Sequence, residues 1–173
     1  MKTLHFSTFL KQKNHMLKPN SLITKGAIMC ATFFILASNK LSAQYKTTRI
    51  GNYTSSSTWL GGVVPPVNSD VVISHTVTLN SASVSVKKLT LAGGGSLTIN
   101  NSGALMASDA LAINGGTLKN EGGTINIGTS GGGDKVLNLS SGSLDIIDGV
   151  INVNGRVVMR GGYFLMSGGE LNY

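Results

Sequence analysis

The side chains that most resemble catalytic equipment are Asp145 and Asp148, three residues apart, with Arg156 and Arg160 in the units that follow. Paired carboxylates about 5 Å apart serve retaining glycoside cleavage, and pairs about 6.5 to 9.5 Å apart serve the inverting reaction. Polysaccharide lyases and hydrolases built on β-helices use such pairs, or an acid with Arg and Lys. Alternation puts Asp145 on an outward strand position and Asp148 at a corner, so the two can share a face. The corners are short and leave little wall for a cleft, so the pair is read as a solvated outer surface and no catalytic residue is assigned. His75 is the only histidine after residue 44 and has neither Cys nor a second His beside it, so it makes no metal ligand set, and no Ser-His-acid triad can be built without it; it is expected in a surface turn. Gly131-Gly132-Gly133-Asp134 occurs once and at the wrong spacing for a calcium-binding nonapeptide array, and no helix follows the Gly-rich corners to present its N-terminus to a phosphate. Neither a cofactor nor a metal is expected.

The elements that would carry these residues follow from a repeat. From residue 97 onward, triplets of apolar, outward, apolar type begin at Leu97, Leu105, Leu111, Leu118, Ile125, Leu137, Leu144, Ile151, Val157, Phe164 and Leu171. Nine of these eleven starts have Gly two places earlier. A coiled coil shares the seven-residue spacing, but each helical Gly costs roughly 1 kcal/mol relative to Ala. Alternation with a Gly corner is instead the period of a short strand with one face buried. Such strands have to stack. The predicted fold is therefore all-β: a single-stranded parallel β-helix, or solenoid, of about three strands and roughly 21 residues per coil, right-handed by the rule for parallel connections.

Aligning the units three at a time predicts inner columns Leu97-Leu118-Leu144-Phe164, Leu105-Ile125-Ile151-Leu171 and Leu111-Leu137-Val157. Outside, Lys119 falls beside Asp145, and Asn126, Asn152 and Asn172 form one ladder, the only candidate binding residues. Residues 128–134 become a loop at one corner. Asn120 interrupts the inward pattern and is expected in a turn.

Residues 1–44 read as a cleaved signal peptide, with lysines at 2, 11, 13, 18 and 25 before an apolar run at 27–37 and small residues up to Ala43. Eleven apolar residues fall short of the roughly 20 that span a bilayer. The segment before that run is long, so Met16 is an alternative start to Met1. Cys30, the only cysteine, lies in this leader without a lipoprotein box, so the mature chain has no disulfide. The leader also carries six of the 14 Lys and Arg and none of the seven Asp and Glu, which leaves eight basic against seven acidic residues in the remainder. The basic charge therefore gives no argument for nucleic acid or an anionic membrane.

Residues 45–70 differ in composition and read as an N-terminal cap, with Trp59 and Val63-Val64 over the first rung; a sugar-stacking role for Trp59 is the weaker alternative. Residues 71–173 are the solenoid, opening with strands at 71–73, 77–79, 84–86 and 89–91. The stretch Gly51-Asn52-Tyr53-Thr54-Ser55-Ser56-Ser57-Thr58-Trp59-Leu60-Gly61-Gly62-Val63-Val64-Pro65-Pro66, followed by Asp70-Val71-Val72-Ile73 and Val77-Thr78-Leu79, resembles the start of surface proteins exported by the type IX route, a start related to the eight-glycine domain. The resemblance covers roughly residues 45–100. It implies adhesion, gliding or polymer handling, and usually a C-terminal sorting domain, which is not found here; a truncated frame or a fragment of a longer protein is the expectation.

The function expected is a non-enzymatic, secreted or cell-surface stalk or adhesin-like scaffold that meets glycans or extracellular surfaces. A polysaccharide lyase or hydrolase with its acids at Asp145 and Asp148 or in missing coils is the alternative, and an inactive fragment a third. The C-terminal sheet edge is expected to self-associate.

Overall fold

The computed structural model describes residues 43–128 and 135–173. The leader reading, apart from Ala43 and Gln44, and the Gly131–Asp134 motif lie outside the described residues. The described chain is all-β, with one short 3-10 turn at Ser56–Thr58. Its strands are β1 (Gln44–Lys46), β2 (Gly51–Asn52), β3 (Asp70–Ile73), β4 (Thr76–Leu79), β5 (Ser83–Ala92), β6 (Ser96–Asn100), β7 (Ala104–Ile127), β8 (Val136–Val153), β9 (Arg156–Met159), β10 (Tyr163–Met166) and β11 (Glu170–Asn172). They form one curled sheet of 11 strands in which every strand pairing is parallel.

The register explains the apolar periodicity. Tyr45, Val71, Leu89, Leu111, Leu137 and Val157 are successive partners. So are Val77, Leu97, Leu118, Leu144 and Phe164, and so are Ile125, Ile151 and Leu171. Stacked like on like, these side chains fill one continuous core: Leu97, Leu118, Ile125, Leu144 and Ile151 are fully buried. A buried Leu or Ile contributes about 1.5–3 kcal/mol relative to its exposed state, and these columns therefore hold the sheet together.

Four sequence expectations change. The triplets are not separate strands: β7 and β8 run continuously through their Gly corners, with only local register shifts near Asn114 and Glu121. Each corner bends at a glycine of positive φ (Gly115 and Gly122 in β7, Gly142 and Gly149 in β8), and ladder pairing resumes on the next side, so the strand runs on through it. The starts at Val84 and Leu89 likewise fall within the single strand β5, irregular between Val86 and Lys88. Asn120 is a fully buried inward residue of β7 that occupies the column between Ile99 and Ile146. Its Nδ2 donates to Gly123 O at 3.1 Å and its Oδ1 accepts from Gly123 N at 3.0 Å, so the amide closes the corner from inside. Asn120→Leu is expected to cost about 1–3 kcal/mol, because it strips partners from two buried backbone groups; a chemical denaturation midpoint unchanged from wild type would contradict that role. Finally, Phe164 holds its predicted place in register but is 42% exposed, since among the described residues β10 pairs only with β8.

Within 45–70, β1 and β2 join the same sheet. Trp59 is 1% exposed, donates from Nε1 to Tyr53 O at 2.7 Å, and meets the Tyr53 ring edge-on at a centroid distance of 4.8 Å. A ring so enclosed has no face for a sugar. Val64 packs against the core, whereas Val63 is exposed. Burial also pushes the Tyr53 phenol well above its ordinary range.

Candidate functional site

The outward positions of the side formed by residues 83–86, 104–107, 124–127, 150–153 and 170–172 carry the ladder anticipated from sequence. Asn126 is the partner of Asn152, and Asn152 of Asn172. The amides bond along the column: Asn152 Nδ2 donates to Asn126 Oδ1 at 2.9 Å, and Asn172 Nδ2 donates to Asn152 Oδ1 at 3.0 Å. Each bond uses one of the two N–H donors of an amide, so Asn152 and Asn172 keep a second donor and spare acceptor capacity for a partner outside. Parallel pairing sets their repeat at about 4.8 Å.

Sequence reasoning missed what lies next to the ladder. Thr124 N donates to Gly103 O and Gly128 N to Ala107 O, which sets Met106 in the rung beside Asn126. There an open, apolar groove of about 240 Å³ is lined by Val67, Ser85, Leu105, Met106 and Asn126, among others. Val67 is 76% exposed at its rim. The outward Met106 was legible as an apolar residue in a polar place, but Val67 reaches the groove only through the fold.

The candidate catalytic acids make no such arrangement. Asp145 is in register with Lys119, and Asp148 with Glu121. Asp148 Oδ1 accepts from the N–H of Gly149, its own neighbour, at 2.7 Å. Lys119 pairs with Glu121 at 2.5 Å, so the expected Lys119–Asp145 ion pair is replaced by one along the strand. Arg156 opens β9 and Arg160 follows it, and both are exposed.

His75 sits in the bend before β4 and is half-buried, with Nδ1 3.0 Å from Thr47 Oγ1. The Thr47 hydroxyl also accepts from Ser74 N at 3.0 Å, so the cluster ties the β3–β4 bend to the chain after β1. Lys135 Nζ bonds Asp109 Oδ1 at 2.8 Å and holds that carboxyl below its ordinary range. Among the described residues no three His, Cys, Asp or Glu side chains are grouped to hold a metal, and no helix is long and apolar enough to cross a membrane.

The fold defines an all-β protein built on one curled parallel sheet, with an amide ladder and an adjoining apolar groove on one outer face. Comparison with protein-family models, curated proteins and solved structures returned no match.

Proposed function

We propose that the chain is a non-enzymatic exported surface protein, a stalk or adhesin-like scaffold whose sheet winds as a right-handed parallel β-helix and whose Asn126–Asn152–Asn172 face meets glycans or other extracellular surfaces. The observation that carries the contact role is the bonded asparagine column beside the Val67–Met106 groove. Repeated amides offer hydrogen bonds at fixed spacing, while the groove takes an apolar sugar face or a similar flat group. Each contact is weak, and many acting together give retention.

Support for the winding comes from the pairing. Residues of β5 bond to β7, those of β7 to β8 and those of β8 to β9, always parallel, while the intervening corners turn the chain toward the next side. Export rests on the reading of residues 1–44, and the type IX route on the resemblance of residues 45–100.

The test is a glycan array together with retention on polysaccharide and mineral surfaces. Wild type is expected to bind at least one class above control. Asn152→Leu, which breaks both ladder bonds at an outward position, is expected to lower retention by about tenfold, through loss of several coupled hydrogen bonds, with little change in thermal stability. No retention by wild type on any surface would remove the contact role and leave only the stalk.

A further inference from the structure

The asparagine column has a direction. Asn172 Nδ2 donates to Asn152 Oδ1 at 3.0 Å and Asn152 Nδ2 donates to Asn126 Oδ1 at 2.9 Å, so both bonds point the same way. Amides joined head to tail polarise one another, which strengthens the unmatched donor at the head of the chain. That head is Asn126. Its Oδ1 is occupied, and neither N–H of its Nδ2 has an acceptor among the described residues.

The next outward position along the column supplies no acceptor either. Thr124 N bonds Gly103 O and Gly128 N bonds Ala107 O, which makes Met106 the register partner of Asn126, and Ser85 is in turn the partner of Met106. A thioether is only a weak acceptor. The column therefore passes from bonded amides to an apolar wall, and the groove opens at that junction, with Asn126, Met106 and Val67 all in its lining.

A ligand that suits this place carries an acceptor for Asn126 and an apolar end for the groove on one small group. Charge narrows the choice, because no ionisable side chain lines the groove and its walls include Val67, Val84, Leu105 and Met106. A carboxylate or sulfate set against them would lose water without meeting a cation. A sugar hydroxyl brings the acceptor but no apolar end. An acetamido group brings both. We infer that the site takes the N-acetyl group of a neutral N-acetylhexosamine polymer, its carbonyl accepting from Asn126 Nδ2 and its methyl entering the groove beside Met106 and Val67. Asn152 lies one rung away, about 4.8 Å, and offers its second N–H to a hydroxyl of the adjoining sugar. This assignment rests on the glycan contact proposed above and narrows it to one sugar class.

The test is isothermal titration calorimetry of the full chain with three tetramers: β-1,4-linked N-acetylglucosamine, its N-formyl analogue, which keeps the carbonyl and lacks the methyl, and β-1,4-linked glucose, which lacks both. Wild type is expected to bind the acetylated tetramer about tenfold more tightly than either of the others. Asn126→Asp keeps an oxygen to accept from Asn152 and removes both unmatched donors, so it should leave the thermal melt unchanged and weaken binding of the acetylated tetramer by about tenfold or more. Asn138→Asp makes the same exchange on another outer side, between Ala112 and Val158, and should leave that affinity unchanged. Met106→Ser should abolish the preference for acetyl over formyl. Retention on crystalline chitin, on peptidoglycan or on both then identifies which polymer supplies the group. Wild-type affinity in N126D, equal binding of the acetylated and glucose tetramers, or equal binding of an N-acetylated peptide would each overturn the assignment. Retention on glucose polymers that is lost in N152L would leave the broader glycan contact standing without it, whereas retention on no surface would remove both.

Discussion

Leu118→Asp is expected to abolish cooperative folding, whereas Thr98→Asp, on the neighbouring strand but facing outward, is expected to leave stability within about 0.5 kcal/mol of wild type. Leu118 is fully buried and stacked between Leu97 and Leu144. A carboxylate there has no cation or donor within the aliphatic column, and an uncompensated buried charge costs about 5 kcal/mol or more, comparable to the whole stability of a domain this size. Thr98 lies between Thr78 and Lys119 on the outer face, where an added carboxylate meets a lysine. Circular dichroism melts of the two variants check the contrast. A cooperative, near-wild-type melt for L118D would mean that the column is not the core.

The second large effect is expected at a corner. Gly142 has φ +89°, and a Cβ added to it would run into the carbonyl of Gly116 in the preceding rung. Gly142→Ala therefore meets backbone strain and a backbone clash together, and a loss of about 3 kcal/mol or more is expected. Gly93 is the informative contrast, because it has no positive φ and a Cβ there would meet open space. Gly93→Ala should be neutral or stabilise by about 0.5 kcal/mol, by restricting the unfolded chain. Urea midpoints of the two variants measure the difference, and equal midpoints would show that corner stacking does not constrain the fold.

These two glycines mark a limit of reading the sequence alone. Both lie between apolar triplets, Gly142 alone among serines and Gly93 at the start of Gly93-Gly94-Gly95, and the sequence does not say which of them the backbone requires. The pattern suggests that Gly at each corner permits a positive φ, and at Gly142 and Gly149 it does. At Gly95 and Gly116 the reason is instead space, since an added Cβ would collide with backbone of the preceding rung while φ stays ordinary. Asn120 was misread for a related reason: a buried amide looks like a break in an apolar column until the backbone it bonds is in place.

The outer face was legible where like residues recur at coil spacing. Asn126, Asn152 and Asn172 line up because parallel in-register pairing brings each residue beside its equivalent, and the alternation fixes which face it occupies. Charge pairing was less legible. Lys119 and Asp145 are register neighbours as expected, yet the lysine turns along its own strand to Glu121, a choice set by side-chain reach and not by register.

By itself the sequence determined the all-β class, the inward columns and the asparagine ladder, because side-chain alternation and glycine spacing are local properties that parallel stacking repeats from rung to rung. Only the tertiary structure decided the continuous path of β7 and β8 through their corners, the burial of Asn120 and the groove between Val67 and Met106. Those features depend on which rungs meet and where pairing stops, and such contacts join residues that no short window of sequence contains.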